Sequence, residues 1–322
     1  MNTHMNYRFA ALIVLVLLTA SGCKKEKKTT TKINSDGSCM RTIVVNPVSD
    51  TSSSFPIPTD KSWETRLEGD TEKVYVASKR FDDVNQMSNE YRRPGKVGVD
   101  LKFEKKFRWF FSYFSYQETY NPCLQIQRIP IRTFLTAEEY ALYERGDTSK
   151  AFKKRMDEFL MANILEEFYC RLIDSVKSLH DPSLPVSIFI AKKKEIDIDK
   201  AEHNTKDIVQ YLERVLGLKL RDKLERQIDG IVKSIDDKIE FMIGAGGYYI
   251  NEVVMPGIIL NTNANTVEGN KVTWSFNEDK FTYLAYTMNV ESRTANPWAT
   301  YATGGALIVI VALLILPRMR RK

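Results

Sequence analysis

The residue types that most often carry chemistry are scarce in this chain and poorly placed for it. Of three histidines, His4 sits in an apolar leader, His180 lies beside Asp181-Pro182, and His203 lies beside Asn204; the last two read as surface or capping residues. No H-E-x-x-H, G-x-S-x-G or G-x-x-x-x-G-K-[ST] pattern occurs, so zinc-protease, serine-hydrolase and phosphate-loop chemistry have no motif to rest on. The run GAGGYY opens like a dinucleotide fingerprint. It follows a helical pattern, however, and has Tyr249 where the last glycine belongs, so it reads as a helix stop. The run DIDKAE, Asp197 to Glu202, begins like a calcium loop but places Ala201 and Glu202 where a ligand and the turn glycine are required; it reads as a solvated helix start. Glu166 and Glu167 point to different sides of one helix and define no acid–base pair. Beyond Cys23 the cysteines are Cys39, Cys123 and Cys170, an odd set without C-x-x-C. At most one intramolecular disulfide is possible, with its pairing open. The expectation is a protein with no catalytic residue, metal or cofactor; an enzyme would need a nucleophile and base that only folding brings together.

Lipid-directed chemistry is better represented. Arg8, the run FAALIVLVLL and the small-residue stretch TASGC make residues 1–23 a secretory leader. Its end resembles the bacterial lipobox, with Ala20 where a larger aliphatic residue is usual, and that resemblance implies acylation of Cys23. An ordinary cleaved leader with an incidental cysteine, or an uncleaved anchor, is the competing reading. Residues 24–32, KKEKKTTTK, carry no apolar side chain and are expected to be a polar tether.

Near the other end, residues 301–317 are expected to cross a membrane and 318–322 to form a basic cytoplasmic tail. The uncharged run Ala306 to Leu316 has only 11 residues, short of the roughly 17 to 25 that a spanning helix needs. Trp298 and Tyr301 nevertheless stand where an aromatic belt belongs, and Arg318, Arg320, Arg321 and Lys322 where positive charge marks the cytoplasmic side. Gly304-Gly305 with this run also looks like a cleaved surface-sorting signal. The body is therefore placed on the periplasmic or extracellular side of a bacterial cytoplasmic (inner) membrane, with the lipid orienting it.

The formal charge of +6 sits at the ends. Of 47 basic and 41 acidic residues, the segments around Arg8, Lys24 to Lys32 and Arg318 to Lys322 take ten and one, leaving 37 against 40. A body of that sign has no general attraction for phosphate backbones, which argues against nucleic acid as a partner.

The run FRWFFSYFSY, Phe107 to Tyr116, packs seven aromatic side chains into ten residues. Read as one strand, it puts Phe107, Trp109, Phe111 and Tyr113 on one face and Arg108, Phe110, Ser112, Phe114 and Tyr116 on the other. Either a face is core, or one lines an apolar cavity or lipid-facing patch, with Trp109, Phe111 and Tyr113 as candidate ligand-binding residues.

These residues must be positioned by three blocks. Residues 33–135 alternate as strands, 136–246 carry helical stripes opened by the Thr136/Glu139 capping box, and 247–300 return to strands. The fold expected is α+β: a curved antiparallel sheet built from both ends of the chain, packed on helices, with a large inserted helical subdomain.

Within the strands, MPGIILNTNANTVEGNKVTWSF (Met255 to Phe276) and INSDGSCMRTIVV (Ile33 to Val45) carry Met-Pro-Gly, Gly-Asn, Val-Thr-Trp and Asp-Gly-Ser elements. They resemble the strands of LppM-type bacterial lipoproteins. The motif positions are Asp36, Gly37, Pro256, Gly257, Gly269, Asn270 and Trp274. The resemblance implies an exported, membrane-anchored domain similar to lipid-binding helix-grip folds, binding lipids or glycolipids without catalysis. The long helical insertion departs from the smaller family pattern. It supports the alternative of a non-catalytic assembly protein that docks another envelope protein through its helices.

Overall fold

The computed structural model describes residues 26–46, 61–69, 74–91, 95–145, 149–196 and 205–319. The expected leader with His4 and Cys23, residues 47–60, the DIDKAE segment with His203, and residues 320–322 of the expected basic tail lie outside the described residues. The chain divides into two compact units, one of residues Met1–Asn121, Gly246–Glu278 and Ala285–Lys322, the other of Pro122–Ala245 with Asp279–Leu284.

The first unit is built from two sheets. The larger has strand order β3-β4-β2-β1-β7-β10-β9, formed by β1 (Glu26–Ile33), β2 (Cys39–Asn46), β3 (Glu64–Glu68), β4 (Val74–Phe81), β7 (Tyr248–Val254), β9 (Thr266–Glu268) and β10 (Lys271–Asn277). The smaller has order β5-β6-β11-β8, from β5 (Val99–Phe107), β6 (Phe111–Tyr120), β8 (Ile258–Thr262) and β11 (Tyr286–Ala295). The chain is α+β, but its strands are shared between two sheets, and β1 pairs with β7 in parallel, Lys27 opposite Tyr249 and Thr31 opposite Val253.

The expected tether is therefore wrong for most of its length. Residues 26–32 belong to β1, the central strand of the larger sheet, with Lys27, Thr29 and Thr31 buried. The composition misleads because the inward face here is polar and hydrogen-bonded. Lys27 Nζ donates to the Gly246 carbonyl at 2.7 Å, and Thr31 Oγ1 accepts from Arg41 Nη1 at 2.8 Å. The β-branched threonines suit a pleated strand, and outward-facing Lys28 pairs with Glu252 at 3.0 Å.

The second unit is helical: α2 (Ile131–Phe134), α3 (Ala137–Arg145), α4 (Lys150–Leu179), α5 (Val186–Lys192), α6 (Thr205–Leu216), α7 (Leu220–Gly244) and α8 (Asp279–Thr282), with α1 (Met87–Glu90) belonging to the first unit. The capping box forms, Thr136 N donating to Glu139 Oε2 at 2.8 Å and Glu139 N to Thr136 Oγ1 at 3.2 Å. Ile164, Phe168, Leu172 and Val176 of α4 share a core with Leu220, Leu224, Ile228, Ile231 and Ile235 of α7. The unit starts earlier than residue 136. Strand β6 ends at Tyr120, and Cys123 N and Leu124 N then donate to the carbonyls of Phe281 and Thr282 at 2.9 Å each, tying in the α8 strap. Cys39, Cys123 and Cys170 are all free thiols. His180 caps α4 in the left-handed region at φ 51°.

Glu167 shows what the helical unit needs from charge. Its carboxylate meets Arg128 at 2.5 Å, Arg171 at 2.9 Å and Lys238 at 2.8 Å, joining the segment before α2 to α4 and α7. Burial pushes this carboxyl up, but hydrogen bonds and charge from Lys238 and Arg128 overcome it and hold it at about 2 against an ordinary 4.5. The folded value is the lower one. The stabilisation is therefore full above the ordinary value and disappears as pH falls from there toward 2. Glu167→Gln should cost about 2 kcal/mol, the scale of lost hydrogen bonds to a charged group, raise the acid midpoint of helix loss in circular dichroism, and flatten stability between pH 4 and 2.

Candidate membrane-interface site

The aromatic run is not one strand. It is the end of β5, a two-residue turn at Trp109-Phe110, and the start of β6, closed by Arg108 N donating to the Phe111 carbonyl at 2.8 Å. Tight hairpins normally place Asn-Gly or similar residues at positive φ. Here two bulky rings occupy the turn, and among the described residues the only non-glycine with positive φ is His180. Beyond the turn the strand sorts cleanly: Ser112, Phe114, Tyr116, Glu118 and Tyr120 are buried, whereas Phe111 and Tyr113 are half-buried on the outer face. Phe107, Trp109 and Phe110 stay about half exposed, at 57%, 51% and 46%.

What holds this turn is the residue before the last helix. Helix α9 runs Pro297–Met319, opening on a proline whose missing N–H is no loss at a first helical position. Asn296 immediately before it clasps all the turn carbonyls. Its Nδ2 donates to Arg108 O at 2.8 Å and Trp109 O at 3.2 Å, and its backbone N to Phe110 O at 2.8 Å. Its Oδ1 accepts from Ser112 Oγ at 3.0 Å. The rings complete the join: Phe107 stacks on Trp298 at 6.1 Å, Trp109 meets Trp298 edge-on at 5.1 Å, and Trp109 Nε1 donates to Thr303 Oγ1 at 2.8 Å.

Starting at Pro297 removes the length problem. Pro297–Leu316 is 20 residues with mean hydropathy 2.3 and only 6% of it buried, and a helix of that length rises about 30 Å, the thickness of a bilayer's hydrocarbon core. It is long and apolar enough to cross a membrane. Trp298 and Tyr301 stand exposed on its first turns.

No protein-family model matches the chain, and no curated protein matches it. Among solved structures it is similar to the NMR structure of the Mycobacterium tuberculosis LppM folded domain, with 9% identity and a TM-score of 0.31, covering 86% of this chain and 94% of that one. Neither fold nor function rests on so slight a likeness.

Behind the hairpin lies a buried charge network. Arg41 of β2 and Glu118 of β6, both fully buried, pair across the two sheets at 2.6 and 3.1 Å. Arg41 Nε also donates to Tyr91 OH at 2.6 Å, while Tyr116 OH and Asn251 Nδ2 donate to Glu118 at 2.6 and 2.9 Å. Burial pushes the Glu118 carboxyl up, but the Arg41 charge and these donors hold it below its usual range. The Tyr91 phenol is pushed up to about 12 by burial. Beside this network Tyr120, Tyr249, Phe276 and Tyr286 pack ring to ring. The candidate lining residues accordingly separate: Trp109 reaches the last helix, and Phe111 and Tyr113 face outward. A pocket of about 620 Å³ does occur in the helical unit, lined by polar residues such as Gln210, Glu213, Arg214 and Lys219 at the α6–α7 turn.

The motif positions are strand-end devices. Asp36 Oδ1 accepts from Ser38 N and Oγ at 2.9 and 2.7 Å, beside Gly37 at φ 97°. Asn270 Nδ2 donates to the Met255 carbonyl at 2.7 Å, and the buried Trp274 donates to Asn263 Oδ1 at 2.9 Å. Pro256 O accepts from Ser292 Oγ at 2.8 Å.

Proposed function

We propose that the protein is a non-catalytic, membrane-anchored envelope lipoprotein that meets lipid at the bilayer surface through its aromatic hairpin rather than in an internal cavity. The observation that carries this is the bond from Trp109 to Thr303. Thr303 lies six residues beyond Pro297, which is about 9 Å along the helix axis. With α9 in a bilayer, that is the depth at which amphipathic rings settle, roughly 5–10 Å into the headgroup and acyl boundary. Half-exposed Phe107, Trp109 and Phe110 would then complete their burial in lipid, each contributing on the order of 1 kcal/mol. Placing the body outside the cytosol and acylating Cys23 belong to the same proposal.

The test uses the full chain in lipid nanodiscs with bromine-labelled acyl chains. In a Trp298→Phe background, Trp109 is the remaining exposed tryptophan, because Trp63 and Trp274 are buried. Its emission should be quenched, more strongly by bromine near the headgroup than near the chain end. Asn296→Ala, which removes the clasp at a cost of about 1–2 kcal/mol, should reduce that quenching. Emission unchanged by any labelled lipid would overturn the proposal.

A second reading, assembly, is favoured by a helical unit with its own core. In-cell crosslinking should then give a stoichiometric partner through Pro122–Ala245, and its absence would remove this reading.

A further inference from the structure

The hairpin's surroundings are layered. At the turn stand the exposed rings of Phe107, Trp109 and Phe110, with exposed Arg108 between them. One rung into the sheet, Lys106, Tyr113, Arg293 and Ile258 are register partners across all four strands. Two residues further on the same face, Glu104, Ser115 and Glu291 are partners. Same-face residues are about 7 Å apart along a strand, comparable to the headgroup layer on each side of a bilayer. Arg108 at the turn apart, the order from α9 outward is thus apolar rings, then a rung with Lys106 and Arg293, then one with Glu104 and Glu291, which follows hydrocarbon, phosphate and water.

Two of the three basic side chains have no carboxylate partner among the described residues, and the third shares one. Arg293 lies over the Phe111 ring at 4.7 Å, and among the described residues neither Arg293 nor Arg108 has a carboxylate partner. Lys106 lies 3.4 Å from Glu104, a carboxylate that Lys102 holds more closely at 2.7 Å.

We infer that this end of the smaller sheet binds the headgroup phosphates of anionic phospholipids through Lys106, Arg108 and Arg293. The inference rests on the hairpin seat proposed above and deepens it by naming the lipid class. Aromatic depth alone would seat the body on any bilayer; this basic row makes the seating charge-dependent.

Full chain carrying Trp298→Phe is placed in phosphatidylcholine discs and in discs where phosphatidylglycerol replaces part of the phosphatidylcholine, and Trp109 quenching is read in each. Quenching should be greater in the anionic discs and should lose that excess as salt rises. Lys106→Gln with Arg108→Gln, two exposed changes that leave the packing alone, should lower the seated-to-unseated ratio in anionic discs by about five-fold per charge removed, and leave it unchanged in phosphatidylcholine. Arg293→Gln should add a further decrease. Equal quenching of the parent in both discs overturns the headgroup inference while the seat stands; no quenching in either overturns both. Inorganic phosphate that abolishes the anionic preference more strongly than chloride of equal ionic strength would assign the row to free phosphate and overturn the inference too.

Discussion

Glu118→Gln should lower the stability of the two-sheet unit by about 3–5 kcal/mol. The reason is what it leaves behind. Arg41 is fully buried, cannot shed its proton, and would keep Tyr91, Thr31 and Tyr116 as its neutral partners after losing a carboxylate at 2.6 Å. A buried unpaired charge is far costlier than a pair missing altogether. The double variant Arg41→Met, Glu118→Leu should therefore lie closer to the parent than either single change. It will not reach it fully, because the hydroxyls of Tyr91 and Tyr116 and the amide of Asn251 lose their partner. Urea unfolding followed at Trp274 reads the difference, and hydrogen exchange should locate it in β2 and β6. The pH dependence has a definite sign. The folded Glu118 carboxyl sits below its usual range, so its contribution is complete above about pH 4.3 and is lost as pH falls through the folded value. A loss under about 1 kcal/mol would mean that the pair is solvated like a surface bridge. The effect extends to the hairpin end, since Glu118 lies seven residues along β6 from Phe111, about 23 Å. The pair fixes the strand that carries the hairpin.

Residue periodicity revealed the parts of this fold that bury apolar faces locally. The stripe Ile164, Phe168, Leu172, Val176 and the run Leu224, Ile228, Ile231, Ile235 each name a helix face that the structure buries, and the Thr136/Glu139 spacing names its helix start. The central strand β1 was hidden because Lys27, Thr29 and Thr31 satisfy a polar interior, and composition alone equates polar with exposed. A signal was present in CMRTIVV, where Arg41 shares the inward phase with Ile43 and Val45. Such a charge needs a buried partner, and Glu118 between Tyr116 and Tyr120 is in the same position on β6. Nothing local could pair them, because they are 77 residues apart. The hairpin was hidden for the opposite reason. Trp109-Phe110 lacks turn chemistry, and the clasp that enforces the turn, Asn296, comes from 187 residues away. A bend made against local preference, with aromatic side chains left partly in water, is expected where function rather than folding sets the residue.

Gly257→Ala should be strongly damaging for so small a substitution. Gly257 has φ 80°, and a Cβ added there would lie 2.1 Å from the Arg293 carbonyl oxygen and 2.6 Å from Thr294 Cγ2. The left-handed backbone alone costs an L-residue about 1–2 kcal/mol. The overlap adds to this, because the obstacle is backbone in a paired strand and cannot rotate away. β8 and β11 must separate at Arg293, where Ile258 pairs, so a loss of about 4 kcal/mol or more is expected. Gly269→Ala is the internal control. Its φ of 65° carries the same conformational penalty, but nothing lies within 4 Å of the added Cβ, so about 1–2 kcal/mol is expected. Thermal unfolding of the two variants separates steric overlap from backbone strain, and equal losses would remove the overlap argument. Position makes the damage specific. Arg293 is also opposite Tyr113, and Ala295 is opposite Phe111, so the strand displaced by a Gly257 side chain is the one that leads directly into Asn296 and α9. Gly257→Ala should therefore release the Trp109 hairpin as well as lower stability, and Gly269→Ala should leave the hairpin in place.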